Sequence, residues 1–148
     1  VLAEPAFKKE LNKKNIRQNY NRYLKKYDWK LWGAVNFNLS IDMAKIRQMM
    51  ERFFNELKEK LPMESITLFF ASEINSDRSG FHVHFLIDFN NAVSGKGIKS
   101  FCATFFQKRN KRIAANLLVE EFDRSKGGIN YILKQINLFP DGYDIFLS

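Results

Sequence analysis

Cysteine and histidine are nearly absent from this sequence of 148 residues: Cys102 stands alone, and the only histidines are His82 and His84. A single cysteine excludes an internal disulfide and any cysteine-rich zinc site, and nothing points to an oxidising compartment. No apolar run approaches the ~20 residues of a membrane span, and the N-terminus lacks a signal-peptide core, so a soluble, intracellular protein is expected. No G-x-x-x-x-G-K-[ST] phosphate loop is present, so ATP-driven chemistry is not encoded. Internal repeats, linkers and low-complexity tracts are missing too. Acidic side chains are in deficit, 16 against 24 Lys and Arg, giving a net charge of +8 and a pI near 9.6. That balance favours a polyanionic partner, nucleic acid before membrane.

What the chain has in quantity is apolar volume. It is 45% hydrophobic with fifteen phenylalanines, enough for the core of one domain over residues 1–148. The sequence predicts a basic helix from about Ala6 to Tyr27, carrying Lys8, Lys9, Lys13, Lys14, Arg17, Arg22, Lys25 and Lys26. It reads either as a plain solvated helix or as a phosphate-contacting arm with tyrosines available for base stacking. Leu31 to Leu39 alternates as a strand, with Trp32, Ala34, Asn36 and Asn38 on one face. Ser40 is placed to cap a helix whose stripe runs Met43, Ile46, Met50, Phe53, Leu57 and Leu61, closed by Pro62. Ser65 to Glu73 is the second strand, with Thr67, Phe69, Ala71 and Glu73 on one face.

Asn75 to Gly80 has turn composition, so the strand Gly80–Asp88 returns antiparallel as a hairpin. His82 and His84, one residue apart, share a face at a separation of roughly 7 Å. Pairing that puts Glu73 on the histidine side brings three ligand groups together; a slip of one residue sends it away. Gly95 and Gly97 open a short helix with Ile98, Phe101, Cys102 and Phe105 inward, which makes Cys102 a buried filler. Lys108, Arg109, Lys111 and Arg112 form a cationic patch suited to phosphate. Leu117 to Phe122 is a fourth strand. Asp123 or Ser125 starts a last helix through Ile136, with Ile129, Ile132, Leu133 and Ile136 inward and Tyr131 and Lys134 on the far side. Pro140 to Gly142 is a turn before Tyr143 to Leu147, a candidate edge strand. Strand, helix, strand, strand, helix, strand, helix is the order of an α+β fold, an antiparallel sheet with helices packed on one face.

Two imidazoles and one carboxylate leave coordination positions open for substrate. They hold zinc or non-haem iron and, with phosphate oxygens added, manganese or magnesium. Tyrosine supplies an oxygen nucleophile and a nearby lysine assists it, which together describe phosphoryl transfer to a side chain.

His82-Val83-His84 resembles the His-hydrophobe-His motif of the HUH endonucleases, and Tyr131-Ile132-Leu133-Lys134 is similar to their Y-x-x-K motif. Glu73, nine residues before His82, falls where rolling-circle replication initiators carry their third ligand, and Trp32 to Asn38 where their DNA-reading first motif lies. The usual threonine is missing from that motif here. The resemblance covers about Leu31 to Gln135, a catalytic core at about 31–136. It implies a ferredoxin- or RRM-like palm of about five strands and a site-specific nick in single-stranded origin DNA, which could be presented as a hairpin. Glu73, His82 and His84 would bind Mn or Mg; Tyr131 would take the 5′-phosphate and free a 3′-OH; Lys134 would assist; Asn36 and Asn38 would contact DNA. It also implies a host polymerase and a helicase as partners, no membrane, and a plasmid or viral setting in a bacterial or archaeal cytoplasm or a host cell. The chain could be the N-terminal part of a longer protein. Gly127 and Gln135 stand where a second tyrosine would be at four-residue spacing, so a one-tyrosine enzyme is implied. The relaxase variant, with an N-terminal tyrosine, would draw on Tyr20, Tyr23 or Tyr27 but lacks its third histidine. Two other readings remain open: a non-catalytic single-strand binder using Trp32 or Phe69 as exposed base platforms, and an oxygenase with a two-histidine, one-carboxylate triad.

Overall fold

A computed structural model describes residues 15–38, 41–62, 64–90 and 95–148. Among them, helices α1 (Ile16–Leu24), α2 (Met43–Lys60), α3 (Gly95–Cys102) and α4 (Gly128–Ile132) accompany strands β1 (Leu31–Asn38), β2 (Thr67–Ile74), β3 (Gly80–Asp88), β4 (Ala114–Glu121) and β5 (Tyr143–Leu147). The strands form one antiparallel sheet in the order β4-β1-β3-β2-β5. Chain order β1-α2-β2-β3-α3-β4 is the split βαβ arrangement. The tail adds β5 as the expected edge strand beside β2. No helix of the described residues is long and apolar enough to cross a membrane.

Alternation along the strands sorts their side chains into two cores. On one face Val35, Leu68, Phe70, Val83, Phe85 and Ile87 pack under α2 and α3. Phe53 on α2 sits at its centre, its ring centroid 5.0 Å from Phe106, 5.2 Å from Phe105 and 5.7 Å from Phe85. The Phe85 ring lies so close to β1 that a Cβ on Gly33 would fall 2.2 Å from it, so only glycine fits there. Cys102 is buried as expected, and burial pushes its thiol up to about 12.

The other face is covered too, where helices on one face alone were expected. Tyr20 and Leu24 of α1 and Ile129, Ile132, Leu133 and Ile136 of α4 and the turns after it bury Phe69, Ala71, Leu86, Tyr143 and Ile145. Phe69 is fully buried under Tyr20, their centroids 6.0 Å apart, and therefore is no base platform. The tyrosines of α1 and of the turn after it serve this core: Tyr20 is fully buried, and Tyr23 and Tyr27, half-buried, share a hydroxyl contact at 3.2 Å. The basic positions at Lys8, Lys9, Lys13 and Lys14 lie outside the described residues, while Arg22, Lys25 and Lys26 are exposed.

Local boundaries differ from expectation for identifiable reasons. Asp42, not Ser40, caps α2 by accepting from the Lys45 amide at 2.9 Å; Ser40 and Leu39 lie outside the described residues. Strand β4 begins at Ala114, earlier than Leu117, because it follows β1, and it takes up an irregularity at Asn116, which has φ +53°. The last helix does not run from Asp123 to Ile136. Asp123 caps a short 3₁₀ turn over Arg124–Lys126, Gly127 breaks the path at φ +63°, and α4 occupies only Gly128–Ile132 before turns take over.

Candidate metal centre

The hairpin between β2 and β3 sets the register on which the site depends. Glu73 lies directly opposite His82, and Ala71 opposite His84. Opposed residues of an antiparallel pair project to the same side, so Glu73 stands on the histidine face. One ligand atom from each of Glu73, His82 and His84 lies within 4.8 Å of the others. Glu73 Oε1 is 2.9 Å from His82 Nε2, and Oε2 is 3.6 Å from His84 Nε2.

The donor set fits a divalent cation on the structure's own terms. Glu73 is 1% exposed and His84 4%, yet Glu73 Oε2 and both ring nitrogens of His84 have no hydrogen-bond partner. Buried polar atoms are rarely left so, because each costs about 1–3 kcal/mol unpaired. Two imidazole nitrogens and a carboxylate oxygen converging on one point are the ligands such an ion takes, with positions left for other oxygens. Burial by itself would push the Glu73 carboxyl up; the contacts with His82 and His84 and the charge of Lys134 outweigh it and hold the group down at about 2. Glu73 is thus an anion ready to receive a cation.

Around this cluster the chain gathers the rest of the expected site. Lys134 Nζ is 3.3 Å from Glu73 Oε1 and 3.9 Å from the centroid of the Tyr131 ring. Burial lowers the affinity of this amine for its proton, but the Tyr131 hydroxyl and the Glu73 carboxylate more than reverse that, and Lys134 stays an ammonium. The Tyr131 ring is 5.4 Å from that of His84, and the residue is more than half exposed. Placing Ile129, Ile132, Leu133 and Ile136 inward turns Tyr131 and Lys134 to the other side, as the spacing predicts.

A polar cleft of about 490 Å³ opens over the cluster, bounded by Asn36, Asn75, Asp77, His82, Tyr131 and Lys134. Asn36 pairs with His82 across β1 and β3 and so borders the site, whereas the Asn38 amide is bound to the Arg112 carbonyl at the end of β1. Of the cationic patch, Arg109 is already engaged, bonded to Glu56 and lying 5.4 Å over the Phe105 ring. Lys108, Lys111 and Arg112 are exposed and without an ion pair among the described residues.

Two participants had no signal in the sequence. Asn75 Oδ1 accepts from His82 Nδ1 at 2.6 Å, which leaves Nε2 turned to the cluster. Gln135 Oε1 accepts from the amide of Ile74 at 3.1 Å, tying the segment of Tyr131 and Lys134 to the strand of Glu73. Both bonds cross between segments, which spacing along one segment does not encode.

Fold and site together define an α+β protein of split βαβ type with a buried Glu-His-His cluster able to hold a divalent cation. Set against known proteins, the chain matches no family model, no curated protein and no solved structure.

Proposed function

We propose that this protein nicks and rejoins single-stranded DNA by transferring a phosphoryl group to Tyr131, in the manner of the HUH endonucleases that open rolling-circle replication. The observation that carries the reading is the convergence of Tyr131 and Lys134 on the Glu73, His82 and His84 cluster at the base of one polar cleft. Neither motif required the other by sequence proximity: His82 and Tyr131 stand 49 positions apart in the chain, and the fold brings them together.

In this reading Glu73, His82 and His84 hold Mn or Mg, ions whose preference for oxygen is met by adding phosphate oxygens to the set. Such an ion supplies a Lewis acid that draws charge from a non-bridging phosphate oxygen. The Tyr131 oxygen forms a bond to phosphorus, the bond from phosphorus to the 3′-oxygen breaks, and the 3′-oxygen takes a proton to become a hydroxyl. Lys134, an ammonium 3.9 Å from the Tyr131 ring centroid and 3.3 Å from Glu73, steadies the phosphate as the nucleophile attacks. Asn75 fixes His82, and Asn36, with Lys111 and Arg112 beyond it, guides the strand. Attack by a 3′-hydroxyl on the phosphotyrosine reverses the sequence and rejoins the strand.

The test is covalent capture. With Mn²⁺ or Mg²⁺ and a labelled pool of single-stranded oligonucleotides, a protein-DNA adduct should survive denaturation on a gel. Tyr131→Phe should abolish the adduct and spare binding, and His82→Ala should remove cleavage and its metal dependence together. An adduct that persists in Tyr131→Phe sinks the assignment of the nucleophile; binding with no adduct under any divalent ion leaves a non-catalytic single-strand binder.

A further inference from the structure

Tyr131 is the wall between two clefts of opposite character. On one side is the polar cleft over the cluster; on the other is a second cleft, about 320 Å³, enclosed between the sheet and α4 and also lined by Tyr131. We propose that this second cleft is a nucleobase pocket that seats the base beside the reacting phosphate, accepts a base with an exocyclic amine (adenine, cytosine or guanine) and rejects thymine. The proposal rests on the reading of the neighbouring site as one for single-stranded DNA.

The cleft's floor is set by register. Leu86, Trp32 and Glu120 lie in a row across β3, β1 and β4, next along the sheet from His84. Phe122, Ile132 and Tyr131 close the sides, so three aromatic rings and two aliphatic chains face the space. The Trp32 ring lies 6.5 Å from that of His84, which places the aromatic floor immediately beside the cluster. Its volume is at the small end of the roughly 300–1,000 Å³ of ligand pockets, suited to one planar ring system rather than a length of chain. Aromatic faces that stack a base contribute about 1–3 kcal/mol each.

Charge decides which part of a nucleotide enters. Glu120, Glu121 and Asp123 border this cleft, and a phosphate would be repelled from it while the cation site next door attracts one. Carboxylates only accept hydrogen bonds, so they pair with the amino groups of cytosine, adenine or guanine. Thymine offers carbonyl oxygens on either side of its one ring N–H and meets repulsion there. One Asp123 oxygen is already occupied by the amide and hydroxyl of Ser125, at 2.9 and 2.7 Å. Glu120 and Glu121 are both exposed and without an ion pair among the described residues. Glu120 is the one opposite Trp32, on the floor's face of the sheet, while Glu121 is opposite Leu31 of the sealed core, so Glu120 is the principal acceptor. Lys126 also borders the cleft and provides a donor for a ring nitrogen or carbonyl of the same base.

The experiment is run in EDTA, so that binding is read apart from chemistry. Labelled short oligo-dA, oligo-dC and oligo-dT are titrated by fluorescence anisotropy while indole emission is followed. Oligo-dA and oligo-dC should bind about tenfold more tightly than oligo-dT, as one good carboxylate-amine pair allows, and should quench the indole more strongly. Glu120→Gln, which keeps side-chain size on an exposed position, should bring the three affinities within about twofold; Trp32→Leu should weaken oligo-dA and oligo-dC several-fold. Equal affinities in the parent protein, or a preference unchanged in both variants, overturn the pocket. Quenching by tetramethylammonium with none by the oligonucleotides also overturns it and makes the cleft a cation site. The two readings fail separately: an adduct in Mn²⁺ without base preference removes only the pocket, and base preference without an adduct removes only the nicking chemistry.

Discussion

The two faces of the sheet are built from the same strands and treat alternate residues in opposite ways. On β3, Val83, Phe85 and Ile87 go to a face sealed by α2 and α3, with four phenylalanine rings around Phe53. His82, His84 and Leu86 go to a face that α1 and α4 cover in part, leaving the cluster under an open cleft. The sealed face has shape but little chemistry; the half-covered face holds buried ligand atoms that lack partners. Tight packing on one side gives the strands a fixed geometry, and that fixed geometry lets the other side keep unsatisfied polar atoms in place.

Substitutions on the two faces should separate these roles. Phe53→Ala empties the centre of the sealed core and should lower stability by about 3–5 kcal/mol in urea unfolding. Gly33→Ala forces a methyl into the Phe85 ring and should lower it by about 1–3 kcal/mol; a neutral result would mean the two strands separate more easily than the packing indicates. Glu73→Gln should lower stability at neutral pH by about 1.5–3 kcal/mol, the scale of a charged hydrogen bond. It should also remove any rise in melting temperature on adding Mn²⁺. Because the folded carboxyl sits at about 2 against its ordinary 4.5, its contribution is complete above pH 4.5 and drains away as pH falls toward 2. The gap between parent and Glu73→Gln should therefore be level from pH 7 to about 5 and narrow below that. A gap that widens with acid would contradict the depressed value. Leu118→Ala, on the open face and 44% exposed, should change stability by less than about 0.5 kcal/mol.

Much of this comparison could be read before the fold was known. Alternation in Trp32 to Asn38 and the 3.6-residue stripe from Ile46 to Leu57 report which side each residue buries, since burial is what the pattern records. The hairpin was legible from the turn composition of Asn75 to Gly80, but its register was not: the sequence left two faces open to Glu73, and the pairing of the folded strands sets it opposite His82. The second layer was less so. In α1 the basic residues mask a stripe of Tyr20 and Leu24 whose partner, Phe69, is distant in sequence. The end of α4 was obscured because Ile129 to Ile136 keeps a helical stripe even where the backbone has left the helix for turns, with Leu133, Lys134 and Ile136 each bonding three residues back. The roles of Asn75 and Gln135 depend on contacts between segments, and no periodicity records those.

The histidines belong to the middle strand of five, with β1 and β2 hydrogen-bonded on either side and β4 and β5 outside those. A segment so placed has no fraying edge: exposing its amides requires both flanking ladders to open, which in most proteins means global unfolding. Hydrogen exchange at His82 and His84 should accordingly be among the slowest in the chain, with or without a cation. A chelator would then strip the site without dissolving it, and the ion would return to ligands already in place, with almost no ordering entropy set against its affinity.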